Sequence, residues 1–143
     1  MILPDVNLLV YAYNMDAPRH EAARSWWEEL LNGDVDVGIP WAAALGFVRI
    51  MTSRRVLHAP LRPDVALDYV ESWLRRPGVR VLDPGPRHLS LIRQLLRAVG
   101  IAGSLTTDAH LAALAIEHQA ELHSNDADFA RFPALRWVNP LED

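Results

Sequence analysis

The chain has 143 residues, half of them hydrophobic, which is enough to build one globular unit with a substantial core, so we expect a single domain over residues 1–143. The formal charge of −4 argues against general affinity for nucleic acids. The absence of cysteine excludes disulfides and thiolate metal sites, so any metal must be bound by oxygen or nitrogen ligands.

The sequence carries no recognisable targeting or membrane segment. The N-terminal residues MILPDVN lack the basic region and the long apolar stretch of a signal peptide. The longest uncharged apolar run, residues 39–48, is far shorter than a membrane span. Together with the missing cysteines, which fit a reducing compartment, these features predict a cytoplasmic protein without membrane contact.

Predicted strands and helices alternate along the first half of the chain. Residues 1–6 are predicted as a strand, followed by the apolar segment NLLVYAY and by a helix, RHEAARSWWEELL, that ends at Gly33. A second strand, VDVGI, leads through Pro40 into WAAALGFVRIM, which is apolar on nearly every side and is therefore predicted to be a buried helix. A basic loop, TSRRVLHAPLRP, precedes the helix DVALDYVESWLRR.

The second half of the chain continues the alternation. VRVL is the third predicted strand, and the helix RHLSLIRQLLRAVG ends at Gly100, in the position where glycine commonly closes a helix. After the loop IAGSL, the helix TTDAHLAALAIEHQ is predicted with Thr106 or Thr107 as its N-cap. AELHS and LRWVN are predicted as strands four and five. This order predicts an α/β fold with a mainly parallel sheet.

Three aspartates fall where the ends of the predicted strands meet. In open parallel sheets, the loops after the carboxyl ends of the strands form the ligand crevice. Asp5 ends the first strand, Asp126 follows the fourth, and Asp108 opens the helix before the fourth, where the helix N-terminus is expected to keep it ionised. Converging carboxylates repel each other unless a cation neutralises them, and oxygen ligands suit Mg²⁺ or Mn²⁺.

Each of these acids also has a purely structural explanation. Asp5 is suited to cap the following segment, Asp108 to be an ordinary first-turn acid, and Asp126 to start the short helix DADFARF. We favour a metal site because the three acids fall together at adjacent strand ends. Asp128 is expected to support the metal ligands without binding the metal itself. Asp126 and Asp128 are two positions apart, and one of two alternating acids points away when the backbone is extended.

Three segments carry a resemblance to a known family. ILPDVNLLVYA, TTDAHLAALAIEHQAEL and SNDADFARFPALRWVNP resemble the PIN-domain ribonucleases, in particular the VapC toxins of bacterial toxin–antitoxin pairs. The resemblance implies a three-layer α/β/α sandwich, an acidic cluster that binds Mg²⁺ or Mn²⁺, and metal-dependent hydrolysis of RNA to products with 3′-hydroxyl and 5′-phosphate ends. It also implies a cognate antitoxin and a homodimer.

The resemblance assigns roles to individual residues of this chain. The catalytic metal ligands it implies are three acids, Asp5, Asp108 and Asp126. The polar residues that it places near them, in supporting positions, are Asn7, Ser124 and Asp128. It matches Arg49 to the arginine of the family pattern. Independently of the resemblance, Arg49, together with Arg54 and Arg55 in the loop beyond its helix, is a candidate to hold RNA phosphates; the alternative is that these arginines are solvated charges at the end of the helix.

One position departs from the family pattern. The family usually has a fourth acid three residues before an arginine, on the helix after the second strand, and here Gly46 precedes Arg49 at that spacing. No acid lies between Asp36 and Asp64, so the number of metals stays open, and Asp128, water or an RNA phosphate are the candidates to replace the missing ligand. The alternative function is a degenerate PIN module that binds RNA or a partner without cleavage.

Overall fold

A parallel β-sheet forms the centre of the molecule, whose computed structural model describes residues 1–142. Within those residues the sheet has five strands, β1 (Ile2–Pro4), β2 (Val37–Pro40), β3 (Val79–Leu82), β4 (Glu121–His123) and β5 (Trp137–Val138). Their order is β3-β2-β1-β4-β5, and each neighbouring pair is parallel. The predicted parallel α/β sheet is therefore confirmed.

Helices cover both faces of this sheet. Along residues 1–142 they are α1 (Val6–Tyr13), α2 (His20–Asn32), α3 (Trp41–Met51), α4 (Pro63–Leu74), α5 (His88–Val99) and α6 (Leu105–Glu117), followed by a short 3₁₀ helix, Ala127–Arg131. Over the same residues, none of the helices combines the length and apolar character that crossing a membrane requires.

Two hydrophobic cores, one on each face of the sheet, define the three layers. The first joins α1 to α4 and contains the large buried side chains of Trp27, Phe47 and Trp73. The second joins α5 and α6 to the other face and contains Leu114 and Phe129. The strands add side chains to both cores: Val37, Ile39 and Val79 to the first, and Leu3, Leu82 and Leu122 to the second. This confirms the α/β/α sandwich.

Two glycines are required by the local geometry. Gly38 lies in β2, and a Cβ atom there would meet Cδ1 of Leu82 at 2.5 Å, so only glycine leaves room for that leucine. Gly100 ends α5 with φ of +84°, a left-handed conformation that glycine adopts without a steric penalty. The predicted end of this helix is therefore confirmed.

The environment of α3 differs from the prediction. Ala43 and Phe47 are buried, but the side chains of Trp41 and Leu45 are 49% and 56% exposed. A uniformly apolar sequence does not show which side of a helix meets its neighbours, and here α1 and α4 cover one side only. The helix predicted to be buried is therefore buried on one side and exposed on the other.

The start of α6 also differs. The helix begins at Leu105, and its N-cap residue is Ser104, which makes no side-chain hydrogen bond to the helix. Thr106 and Thr107 lie inside the first turn, so the prediction of either as N-cap was wrong. The positions of capping residues depend on where the loop before the helix turns, which residue preference alone does not determine.

Candidate functional site

Asp5 is held in a fixed orientation at the end of β1. Its backbone N–H donates to the carbonyl oxygen of His123 in β4 at 2.9 Å. As the N-cap of α1, its Oδ1 accepts from the backbone N–H of Val6 at 2.7 Å. The residue is 6% exposed, so the sheet and the helix together place one buried carboxylate beside the end of β4.

Ser124 connects this carboxylate to the chain that follows β4. Its fully buried hydroxyl donates to Oδ2 of Asp5 at 2.7 Å and accepts from the backbone N–H of Asp126 at 3.0 Å. The carbonyl oxygen of Ser124 accepts from the indole N–H of Trp137 in β5 at 3.0 Å. The side chain and the backbone carbonyl of Ser124 together link β1, β4 and β5.

Asp126 and Asp128 lie on the same side of the site. Asp126 caps the 3₁₀ helix, with its Oδ1 accepting from the backbone N–H of Asp128 at 2.9 Å. Carboxylate oxygens of Asp108, Asp126 and Asp128 all lie within 4.8 Å of one another. The expectation that Asp128 points away assumed an extended backbone, whereas the chain turns into the 3₁₀ helix and brings the two side chains together.

A cleft of about 250 Å³ brings most of the predicted site residues together. Its lining residues are Asp5, Val6, Asn7, Ala42, Ala43, Gly46, Arg49, Thr107, Asp108, Leu111 and Asp126. Ser124 stands behind this lining and Asp128 is exposed beside it. Sequence reasoning missed Thr107 as a lining residue, although its position directly before Asp108 was a usable signal.

The pKa values of two carboxyl groups in the cleft, Asp108 and Asp5, are raised. The pKa of Asp108 is raised to about 6, first by burial and then by the charges of Asp126, Asp5 and Asp128. Burial also raises the pKa of Asp5, although the hydrogen bonds from Ser124 and from the Val6 N–H oppose that effect. Burial and like charge therefore outweigh the helix dipole in setting the pKa of Asp108, although a carboxyl group with a pKa of about 6 is still largely ionised at pH 7.

The donor atoms of the cleft fit a hard divalent cation. The carboxylates supply only oxygen ligands, and they repel each other in a way that a bound cation relieves. The side-chain oxygen of Asn7 is buried and has no hydrogen-bond partner within residues 1–142. Asp5, Asp108, Asp126 and Asp128 are the acids available to hold such an ion.

The α3 side of the cleft carries no acid. Gly46 lines the cleft one turn before Arg49, and a Cβ at this glycine would lie 3.0 Å from Cγ2 of Val6. The departure from the family pattern is thus a real difference in the site. Arg49 is the one basic side chain among the lining residues.

Comparison with known proteins decides the family. Residues 2–135 match the PIN domain model. This chain belongs to the PIN-domain family. It is 49% identical to Ribonuclease VapC33 of Mycobacterium tuberculosis over the full length of both chains, and 38% identical to Ribonuclease VapC37 of the same organism over 98% of this chain and 97% of the relative. The predicted resemblance to the VapC group of PIN domains is confirmed.

Solved structures confirm the PIN fold. VapBC2 from Rickettsia felis, bound to a DNA fragment from its promoter, matches with a TM-score of 0.70 at 20% identity, covering 97% of this chain and 98% of the other. VapC20 of Mycobacterium tuberculosis, described as a sarcin–ricin-loop-cleaving toxin, matches with a TM-score of 0.67 at 19% identity, covering 95% and 99%. At these identities the likeness concerns the fold alone.

Proposed function

We propose that this PIN domain is an endoribonuclease that hydrolyses RNA phosphodiester bonds with Mg²⁺ or Mn²⁺ and acts as the toxin of a toxin–antitoxin pair. The observation that carries the proposal is the cleft itself, where carboxylates from three separate parts of the chain converge. Burial, and then the charges of these neighbours, raise the pKa of Asp108 to about 6. The full-length relative at 49% identity, named a ribonuclease, supports the same activity.

The proposed ligands of the catalytic cation are Asp5, Asp108 and Asp126. Ser124 supports them, because its hydroxyl orients Asp5 while accepting from the N–H of Asp126. Asp128 supports Asp126 through its backbone N–H and adds negative charge beside the ligands.

The protein's own contribution to catalysis is orientation and charge. A divalent cation, when bound, supplies electrophilic catalysis by polarising the scissile phosphate and acidifying the attacking water. Ser124 and the Val6 N–H fix both oxygens of Asp5, so the carboxylate needs no reorganisation when the substrate binds. Arg49, facing the same cleft, binds a phosphate oxygen of the RNA through its planar guanidinium group.

The proposed partners follow from the family and from exposed surface. The VapBC assemblies among the structural neighbours support an antitoxin partner for this chain. Exposed apolar side chains on α3 and α4, including Trp41, Leu45 and Leu67, offer a surface for a homodimer. We place the single domain of residues 1–143 in the cytoplasm, where RNA and a cognate antitoxin are available.

The test is cleavage of end-labelled total RNA by the purified protein in Mg²⁺ or Mn²⁺, with EDTA as the metal-free control. Cuts should be lost in Asp5→Asn and in Asp108→Asn, and retained in Asp68→Asn, which changes an exposed acid of α4. Intact RNA from folded protein, in both metals and with several RNA pools, would instead favour the non-cleaving PIN module. The observation behind that alternative is Gly46, which leaves α3 without an acid.

A further inference from the structure

The cleft lacks an acid on α3, and the local packing leaves little room for one. A Cβ atom at position 46 would lie 3.0 Å from Cγ2 of Val6, so Val6 would have to shift to admit a side chain there. The chain has no acid between Asp36 and Asp64 to replace it. Any further protein ligand on this side of the cleft must come from an element other than α3.

Asn7, the residue after Val6, is the polar side chain next to this position. Both Asn7 and Gly46 line the cleft, and the Val6 contact places the start of α1 directly against Gly46. The amide nitrogen of Asn7 lies 3.4 Å from the hydroxyl oxygen of Ser124.

The hydrogen bonds of Ser124 determine which way the Asn7 amide faces. The single hydroxyl proton of Ser124 is donated to Oδ2 of Asp5, so the hydroxyl oxygen acts only as an acceptor towards its other neighbours. It accepts from the N–H of Asp126 and from Nδ2 of Asn7. The opposite amide orientation would set two oxygens against each other without a proton, and Oδ1 of Asn7 therefore faces away from Ser124.

Oδ1 of Asn7 has no donor to satisfy it. The atom is buried, and no group within residues 1–142 donates to it. Buried acceptors in native proteins are normally paired, and an amide oxygen is a ligand that hard divalent cations accept. Being neutral, it adds a ligand without adding to the repulsion that already raises the pKa of Asp108.

We infer that Oδ1 of Asn7 coordinates the catalytic cation in place of the acid that the family pattern usually has at the position of Gly46. This inference rests on the proposed metal-dependent nuclease. The proposed ligand set is three acids and one amide, and the fourth ligand comes from α1 and not from α3.

The first test is Mn²⁺ binding by the purified protein without RNA, measured by titration calorimetry and by the electron paramagnetic resonance signal of free Mn²⁺. Asn7→Ala should weaken binding by at least about 10-fold, because even the loss of a group that only supports a metal ligand has an effect of this size. Asn7→Asp, which keeps an oxygen at the same place, should bind at least as tightly as the unchanged protein. The matched control is Asn32→Ala, which removes an asparagine at the end of α2.

A rescue experiment separates coordination from a merely structural role. Val6→Ala makes room for a side chain at position 46, and Gly46→Glu then restores the acid on α3. In the Asn7→Ala background this pair should recover most of the lost Mn²⁺ affinity, because Glu and Asn7 serve the same coordination position. Val6→Ala alone should recover none of it. Failure of the acid to rescue binding would overturn the inference.

The outcomes for the inference and for the proposed function are distinguishable. If the unchanged protein binds Mn²⁺, Asp108→Asn does not, and folded Asn7→Ala binds as well as the unchanged protein, only the role of Asn7 is overturned. If the unchanged protein binds no Mn²⁺, the metal-dependent function fails and the inference fails with it. Thermal melts of each variant identify those that are folded. If Asn7→Ala is unfolded, the Mn²⁺ affinity of Asn7→Asp tests the inference instead, and binding weaker than that of the unchanged protein would overturn it.

Discussion

The hydroxyl of Ser124 donates a 2.7 Å hydrogen bond to Oδ2 of Asp5, although 119 positions separate the two residues in the chain. The contact exists because β1 and β4 are neighbouring parallel strands, so the residues that follow them lie side by side. The pairing of β1 with β4 therefore orients Asp5, a proposed metal ligand, through the hydroxyl of Ser124.

Replacing Ser124 with alanine should lower both stability and metal affinity. The change removes a hydrogen bond from a buried carboxylate, which costs about 1–3 kcal/mol of unfolding free energy, and it leaves Asp5 free to rotate away from the cleft. Urea denaturation and Mn²⁺ titration measure the two effects. Ser72→Ala, which alters an exposed serine of α4, is the control and should change neither. Unaltered Mn²⁺ affinity in folded Ser124→Ala would show that this bond does not position Asp5 for binding.

Asp108→Asn should stabilise the metal-free protein at neutral pH while removing cleavage. The folded-state pKa of about 6 lies above the usual value, so the stability associated with this group is present at low pH and is lost as the pH rises towards 6. Since Asp108 is partly exposed, we expect a gain of only about 1 kcal/mol at pH 7.5. Denaturation at pH 7.5 and pH 4 should show the gain shrinking at the lower pH. An equal effect at both pH values would contradict the assigned electrostatic cause.

Metal affinity should increase with pH, whereas the stability associated with Asp108 decreases with pH. A cation competes with the proton on Asp108, so Mn²⁺ affinity should rise as the pH increases through about 6 and level off above that value. Below the pKa of Asp108, we expect the Mn²⁺ affinity to change by about 10-fold per pH unit, because binding displaces one proton. Calorimetric titrations between pH 5 and pH 8 measure the profile. A flat profile would mean that Asp108 does not bind the ion.

Arg49→Ala should weaken RNA binding in a salt-dependent way. Loss of one phosphate contact reduces the slope of log affinity against log salt by about 0.7 for a single strand. Filter binding across a salt series, with the cleavage-deficient Asp108→Asn protein as the background, measures the slope. Arg93→Ala is the control, because Arg93 lies on α5 outside the acidic cleft. Equal slopes for the two arginine variants would remove Arg49 from the substrate site.

Gly38→Ala should destabilise the fold without acting on the cleft directly. The new Cβ would meet the side chain of Leu82, and overpacking of this kind costs about 1–3 kcal/mol. Leu82→Ala removes the three atoms involved, so the double variant should be more stable than the sum of the two single losses implies. Urea denaturation of all four proteins completes the cycle. Strict additivity would show that the two side chains do not clash.

Much of the architecture could be predicted from local patterns. Gly33 and Gly100 end helices where the sequence indicates, because a helix terminator acts on its own neighbours. The positions of Asp5 and Asp126 after strands were also readable, since the carboxyl ends of parallel strands lie at one edge of the sheet. The family resemblance then named the acids of the cleft, although their roles stay predictions until tested.

Folding in three dimensions settled what those patterns left open. The exposed side of α3 and the raised pKa of Asp108 both depend on residues distant in the chain. That Oδ1 of Asn7 lacks a hydrogen-bond partner can be recognised only from the position of Ser124 in the folded chain. Periodicity and helix terminators act over a few residues, whereas burial, charge repulsion and hydrogen-bond orientation are properties of the assembled neighbourhood.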